Sequence, residues 1–130
     1  MAQQPTEALN RRLESASIVV RGHVESIEPV PAVAGKPIRL HEPTWFVATI
    51  RVDEALKGRP GPAVVAEFAR SSLPQWDTSP RIELGQSGIW VLQPGRSPGS
   101  LLMDHPLDYQ PGHRLDMVQQ LVTRQHSRAR

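Results

Sequence analysis

The 130-residue chain contains no cysteine. That absence excludes a disulfide framework, a thiolate zinc site and a cysteine nucleophile. It does not fix the compartment. Aromatic residues make up only 5% of the chain, and lysine occurs only at Lys36 and Lys57. The remaining cations are arginines spread along the sequence, among them Arg21, Arg39, Arg51, Arg70, Arg81 and Arg96, with a local basic run only at 124–130. A nucleic-acid binder gathers its charge on one face, so this scatter reads as ordinary solvated surface. No stretch approaches the roughly 20 apolar residues of a membrane helix. Met1–Pro5 lacks the charged-then-apolar layout of a signal peptide. The expectation is a cytoplasmic protein, or a chain beginning after a removed leader and therefore periplasmic or secreted.

Catalytic signatures are missing as well. The chain has no GxxxxGK[ST], GxGxxG, HExxH or GxSxG pattern, so a nucleotide cradle, a zincin helix and a nucleophile elbow lack support. No cofactor, metal or catalytic residue is expected.

What is present is β pattern. In Thr44–Gly58, Phe46, Ala48, Ile50 and Val52 alternate with Thr49, Arg51 and Asp53. A period of two marks a strand with one buried face. Ser17–Glu28 reads likewise, with Val20, Gly22, Val24 and Ser26 on one face and Val19, Arg21, His23, Glu25 and Ile27 on the other. Gly22 in mid-strand predicts a bulge, a bend or close backbone approach. Ala63–Arg70 is a third strand, Gly88–Gln93 a fourth and Ser100–Asp104 a short fifth.

Thirteen prolines and nine glycines raise the loop content. Residues 29–43 and 71–81 read as long loops. Leu9, Leu13 and Ala16 make a helical stripe over 5–16, with Thr6 as its cap and Arg11, Arg12 and Glu14 off the stripe. Leu115, Val118 and Val122, with Leu121 beside them, mark a closing helix over 113–123, followed by a disordered tail at 124–130. The expected fold is mainly β: one domain, a small five-stranded OB-like barrel over 17–104 with short N-terminal and C-terminal helices.

Three segments carry a family resemblance. They are SASIVVRGHVESIEP, ATIRVDEALKG and LGQSGIWVL, with matching positions at Val19, Val20, Gly22, Val24 and Ile27; Val52, Leu56, Lys57 and Gly58; and Gly85, Gln86, Ile89, Val91 and Leu92. In this order they resemble the bacterial netrin/TIMP-like OB-fold domains, over roughly residues 14–104. Ser17 stands where that pattern commonly has aspartate. The resemblance implies a non-enzymatic, often extracytoplasmic β-barrel module. Eukaryotic members engage a protease zinc through an N-terminal cysteine, which this chain lacks, so that activity is not carried over.

Candidate sites are few. His23 and Glu25, at i and i+2 on one strand face, offer two ligands or simply a polar surface. Asp104, His105, Asp108 and His113, beside Tyr109, form the densest titratable cluster, or else a polar connection into the last helix. Asp53 and Glu54 are expected on opposite faces of their strand. Trp90, between Ile89 and Val91, is expected on a packed sheet face. The expected binding residues are Trp45 and Trp76 as apolar anchors and Arg81 as a charged rim. The function expected is a non-enzymatic interaction module for an unidentified protein partner. The alternative is an OB-fold that binds single-stranded nucleic acid on stacked aromatics.

Overall fold

The computed structural model describes residues 5–29, 44–70, 82–95 and 99–128. Along the chain they form α1 (Pro5–Ser15), β1 (Ile18–Pro29), β2 (Thr44–Lys57), β3 (Ala63–Arg70), β4 (Ser87–Pro94), β5 (Leu101–Met103), β6 (Tyr109–Gln110) and α2 (Leu115–Arg128). Short 3-10 turns at Pro106–Asp108 and Gly112–Arg114 lie on either side of β6.

Neighbouring strands run β1-β2-β3-β5-β4, and β1 also pairs with β4, so the five close into a barrel. All pairs are antiparallel except β3 with β5. The mainly β, OB-like architecture is thus as the alternation in β1, β2 and β3 predicts. The sequence pattern missed β6, a two-residue strand that pairs with β4 outside the ring.

Two hydrophobic cores share the strands. Val20, Val24, Ala48, Ile50, Val64, Ala66, Phe68, Ile82, Trp90, Leu92 and Met103 fill the barrel. Leu9 and Leu13 of α1, Ala16 just after it and Val118 of α2 pack with Val19, Ile89 and Val91 on its outer side. β1 and β4 are therefore apolar on both faces where the helices cover them. That explains why Gly88–Gln93 is buried without interruption and reads as a run rather than an alternation. Each fully buried aliphatic side chain contributes about 1.5–3 kcal/mol.

Gly22 is a close-approach residue. A Cβ there would sit 2.0 Å from the Arg51 carbonyl oxygen. The β1–β2 register shifts beside it, skipping Asp53, and shifts again at Leu56 and at Glu25. Trp90 lies inside the barrel at 0% exposure, and its Nε1 donates to the Gly22 carbonyl at 3.0 Å. The indole thus satisfies a buried acceptor in the bulged strand.

The bulges correct two expectations about side-chain direction. Glu25 is an extra residue on β1, so the alternation reverses after it. Ile27, expected outside, packs against the barrel core, and Ser26 pairs with Thr49 on the outer side. Asp53 is extra on β2. Asp53 and Glu54 were expected on opposite faces, yet both face out, beside His23 (3.9 Å) and Arg21 (3.3 Å) respectively.

The helices differ at their ends from the sequence expectation. α1 begins at Pro5, so Thr6 lies in its first turn rather than capping it; proline suits that position because its missing N–H has no partner there anyway. The region expected as a disordered tail, 124–130, is helical as far as Arg128. Gln125 explains part of this, since its Nε2 donates to Asn10 Oδ1 at 2.6 Å and ties α2 to α1.

Candidate binding face

The dense titratable cluster is a clasp. Arg12 of α1 reaches the 3-10 turn at Pro106–Asp108. Its Nε donates to Asp108 Oδ1 at 2.9 Å and its Nη2 to Asp108 Oδ2 at 2.6 Å, while Nη2 also meets Asp104. The Asp108 side chain is 0% exposed and further accepts from the backbone N–H groups of Asp104 and His105 at 3.0 and 3.2 Å. His105 Nδ1 accepts from the Leu107 N–H at 3.0 Å, which closes a reciprocal capping box.

Burial raises the Asp108 pKa, and Arg12 pulls against that rise. Burial likewise works to lower the Arg12 pKa, but its two carboxylate partners outweigh burial and raise it. Arg12, His105 and Asp108 of this cluster bond to other parts of the chain, while Asp104 keeps an exposed side and His113 is exposed and takes no part in the clasp, so the chemistry of the tied groups is structural. Arg12 was the functional surprise: the helical stripe placed it off the packed face, and its partner is distant in sequence.

Lys57 adds a second tie. Its Nζ donates to the carbonyls of Leu13 and Glu14 at 2.8 and 3.1 Å, which caps the C-terminal end of α1. Burial lowers its pKa, opposed by Glu14. Among the described residues, no group of three or more His, Asp or Glu side chains is placed to hold a metal. His23 approaches Asp53 at 3.9 Å, while Glu25 approaches Arg51 at 3.6 Å. Together with Arg21–Glu54, these make an exposed ladder of opposite charges on β1 and β2. Such surface pairs contribute about 0–1 kcal/mol each.

The outer face of β2 and β3 has a different character. Here the two strands have no helix over them in the element contacts of the described residues, apart from the far end of β2. Trp45 lies opposite Ala69 in register; Val47 lies between Glu28 and Glu67; Thr49 lies between Ser26 and Val65. Phe46, the inward neighbour of Trp45, stacks on Phe68 with ring centroids 5.8 Å apart. Trp45 itself is partly buried. Val65 is 53% exposed, and only Leu84, at 69%, matches it among the described large apolar residues.

Pro29, Thr44 and Arg70 meet at one pole of the barrel, because Pro29 pairs with Phe46 and Thr44 with Arg70. The two long connections therefore depart from the pole that carries Trp45. Trp76 and Arg81, the other expected binding residues, lie outside the described residues, as does all of 30–43 and 71–81. Trp90 is inside the barrel, tilted against Tyr109 at 4.7 Å, and presents no surface to a partner. No helix among the described residues is long and apolar enough to cross a membrane. No family model matches the sequence, and no curated protein matches it either.

Proposed function

We propose that this chain is a non-catalytic protein-binding module that meets its partner through the outer face of β2 and β3. The observation that carries this reading is the apolar column on that face: Trp45 and Val47, with Val65 half-exposed one strand away. Apolar side chains set among polar ones, on a sheet face that no helix of the described residues covers over most of its length, suit a protein surface better than bulk water. Residues 30–43 and 71–81, the second of which contains Trp76 and Arg81, follow Pro29 and Arg70 at the pole beside the column. The resemblance to netrin/TIMP-like domains agrees with a non-enzymatic role in an extracytoplasmic setting.

Nucleic acid is the second reading, because OB-type barrels bind single strands on such a face. Glu28, exposed beside it, repels phosphates, which favours a protein. The test is a pair of measurements. A photo-crosslinker at position 65 in producing cells should join a protein partner, and Trp45→Ala should weaken its capture while the folded signal is retained. A labelled single-stranded oligonucleotide should show no salt-sensitive binding. A bound oligonucleotide, or an unchanged partner profile in Trp45→Ala, would reverse the order of the two readings.

A further inference from the structure

The seam between β3 and β5 closes over only part of β3. Glu67 and Phe68 lie beside Leu102 and Met103. Residues 63–66 come before that contact and have no strand partner on that side among the described residues.

Parity decides which backbone groups stand at this edge. The Val52 N–H donates to the Pro62 carbonyl at 2.9 Å. From there β3 runs in unbroken register, with Arg51 opposite Ala63 and Ile50 opposite Val64. In an antiparallel pair only alternate residues exchange bonds. Val64, Ala66 and Phe68 therefore turn their N–H and C=O groups to β2. Ala63, Val65 and Glu67 turn theirs the other way. Glu67 meets β5, whereas Ala63 and Val65 meet no strand among the described residues. Val65 is 53% exposed, so the edge is open to solvent.

Open edges are ordinarily blunted by a charge, a proline, a bulge or a cover. β1 shows this where it runs past β4. It bulges at Glu25, ends in Pro29, and bonds at Val24 to the turn at Gly85 and Gln86. Residues 63–66 read AVVA, with no charge, no proline and no register shift against β2.

We propose that this edge pairs with the same edge of a second copy of the chain, β3 antiparallel to β3 across a two-fold axis at Val64. The occupant follows from the groups on offer. With the axis at Val64, Ala63 of each copy lies opposite Val65 of the other, and every edge N–H meets an edge C=O. An axis at Val65 would bring Ala63 to Glu67, which β5 already holds. An axis at Ala63 would bring Val65 to Gly61, outside the strand. The exposed valine then packs beside the small Ala63 of the other copy, and no charge within the paired stretch opposes the contact. So short a joint belongs to the weak end of interfaces. It uses neither Trp45 nor Val47 and does not rest on the protein-binding reading.

Sedimentation equilibrium of the full chain, up to about 1 mM, reads even a millimolar association and should show monomer and dimer. Val65→Pro removes an N–H that the β2 ladder does not use, so the fold should survive. The dimer should weaken roughly tenfold or more, from the hydrogen bonds lost in both copies. Val64→Pro, one residue away, removes a ladder bond and should unfold the chain. Val65→Lys leaves the backbone alone and should also disfavour the dimer; it decides the matter if Val65→Pro fails to fold. The chain has no cysteine of its own, which permits a direct contact test. Ala63→Cys mixed with Val65→Cys should form a disulfide-linked dimer, since the Cα atoms of a bonded antiparallel pair lie about 5.5 Å apart. Arg11→Cys, on the helical side, should join neither. A chain still monomeric at about 1 mM, a dimer indifferent to a folded Val65→Pro or to Val65→Lys, or mixed cysteines at 63 and 65 that join no faster than either does with Arg11→Cys would overturn the pairing. So would a photo-crosslinker at 65 that reaches only a different protein in producing cells, which would assign the edge to a foreign strand.

Discussion

Replacing Arg12 is expected to harm the protein more than neutralising its partner Asp108, although each change breaks the same pair. The reason is the difference in burial: 23% exposure for the Arg12 side chain against 0% for Asp108. Arg12→Ala leaves a carboxylate sealed in the protein with only the Asp104 and His105 N–H groups to hold it. Stranding a buried charge in this way costs about 3–5 kcal/mol. Asp108→Asn leaves a cation that still has Asp104 and still touches water. The remaining loss is that of hydrogen bonds to a charged group, about 1.5–3 kcal/mol.

The two variants should therefore differ by about 2 kcal/mol, a large share of the stability of a domain this size. Replacing both residues with apolar ones, Arg12→Met with Asp108→Leu, should recover most of the Arg12→Ala deficit. Acid provides a second check. Burial already raises the Asp108 pKa in the native state, against the pull of Arg12. A carboxyl with a raised folded pKa costs stability as pH climbs from its unfolded value, about 3.9, through the folded one. Without Arg12 the folded value rises further. Arg12→Ala should thus regain ground on wild type as pH falls through that interval. Urea denaturation followed by tryptophan emission, at neutral and mildly acidic pH, reads both effects. Asp108→Asn proving the costlier variant, or an Arg12→Ala deficit that ignores pH, would refute the reasoning.

Gly22→Ala should destabilise by about 3 kcal/mol or prevent folding, because its methyl group would meet the Arg51 carbonyl at 2.0 Å; thermal unfolding checks this. Trp90→Phe strips the donor from the Gly22 carbonyl and leaves a gap, for an expected loss of about 2–4 kcal/mol in denaturant titration. Lys57→Met removes the cap on α1 at a cost of about 1 kcal/mol; amide exchange should quicken in Leu13–Ala16 and leave Phe68 unchanged.

Where one face of a strand is wet, the residues announce the strand, as Phe46 to Val52 and Val64 to Phe68 do. β4 hid its alternation because helices cover its other side. Gly22 marked the bulge at Asp53 across from it, whereas the one at Glu25 left no local mark, since an extra residue looks like any other until the partner strand is in view. Ile27 was misplaced for that reason. The Arg12–Asp108 tie joins positions 96 apart in the sequence, and a helical stripe counts only apolar residues. The polar run after Thr123 resembles a tail because its stabilising contact, Gln125 to Asn10, also comes from the opposite end of the chain. Trp45 was legible as the opening of an amphipathic strand, whereas the exposure of Leu84 was not, because a single leucine in a turn carries no period.

The seam of β1 and β4, filled on both sides, works like the spine of a book whose covers can be rebound. A one-residue slip there would misplace side chains in two interiors at once, so its lettering is fixed. The hairpin of β2 and β3 answers to only one interior over most of its length. Its outward positions can be rewritten without reopening the binding that holds the helices on.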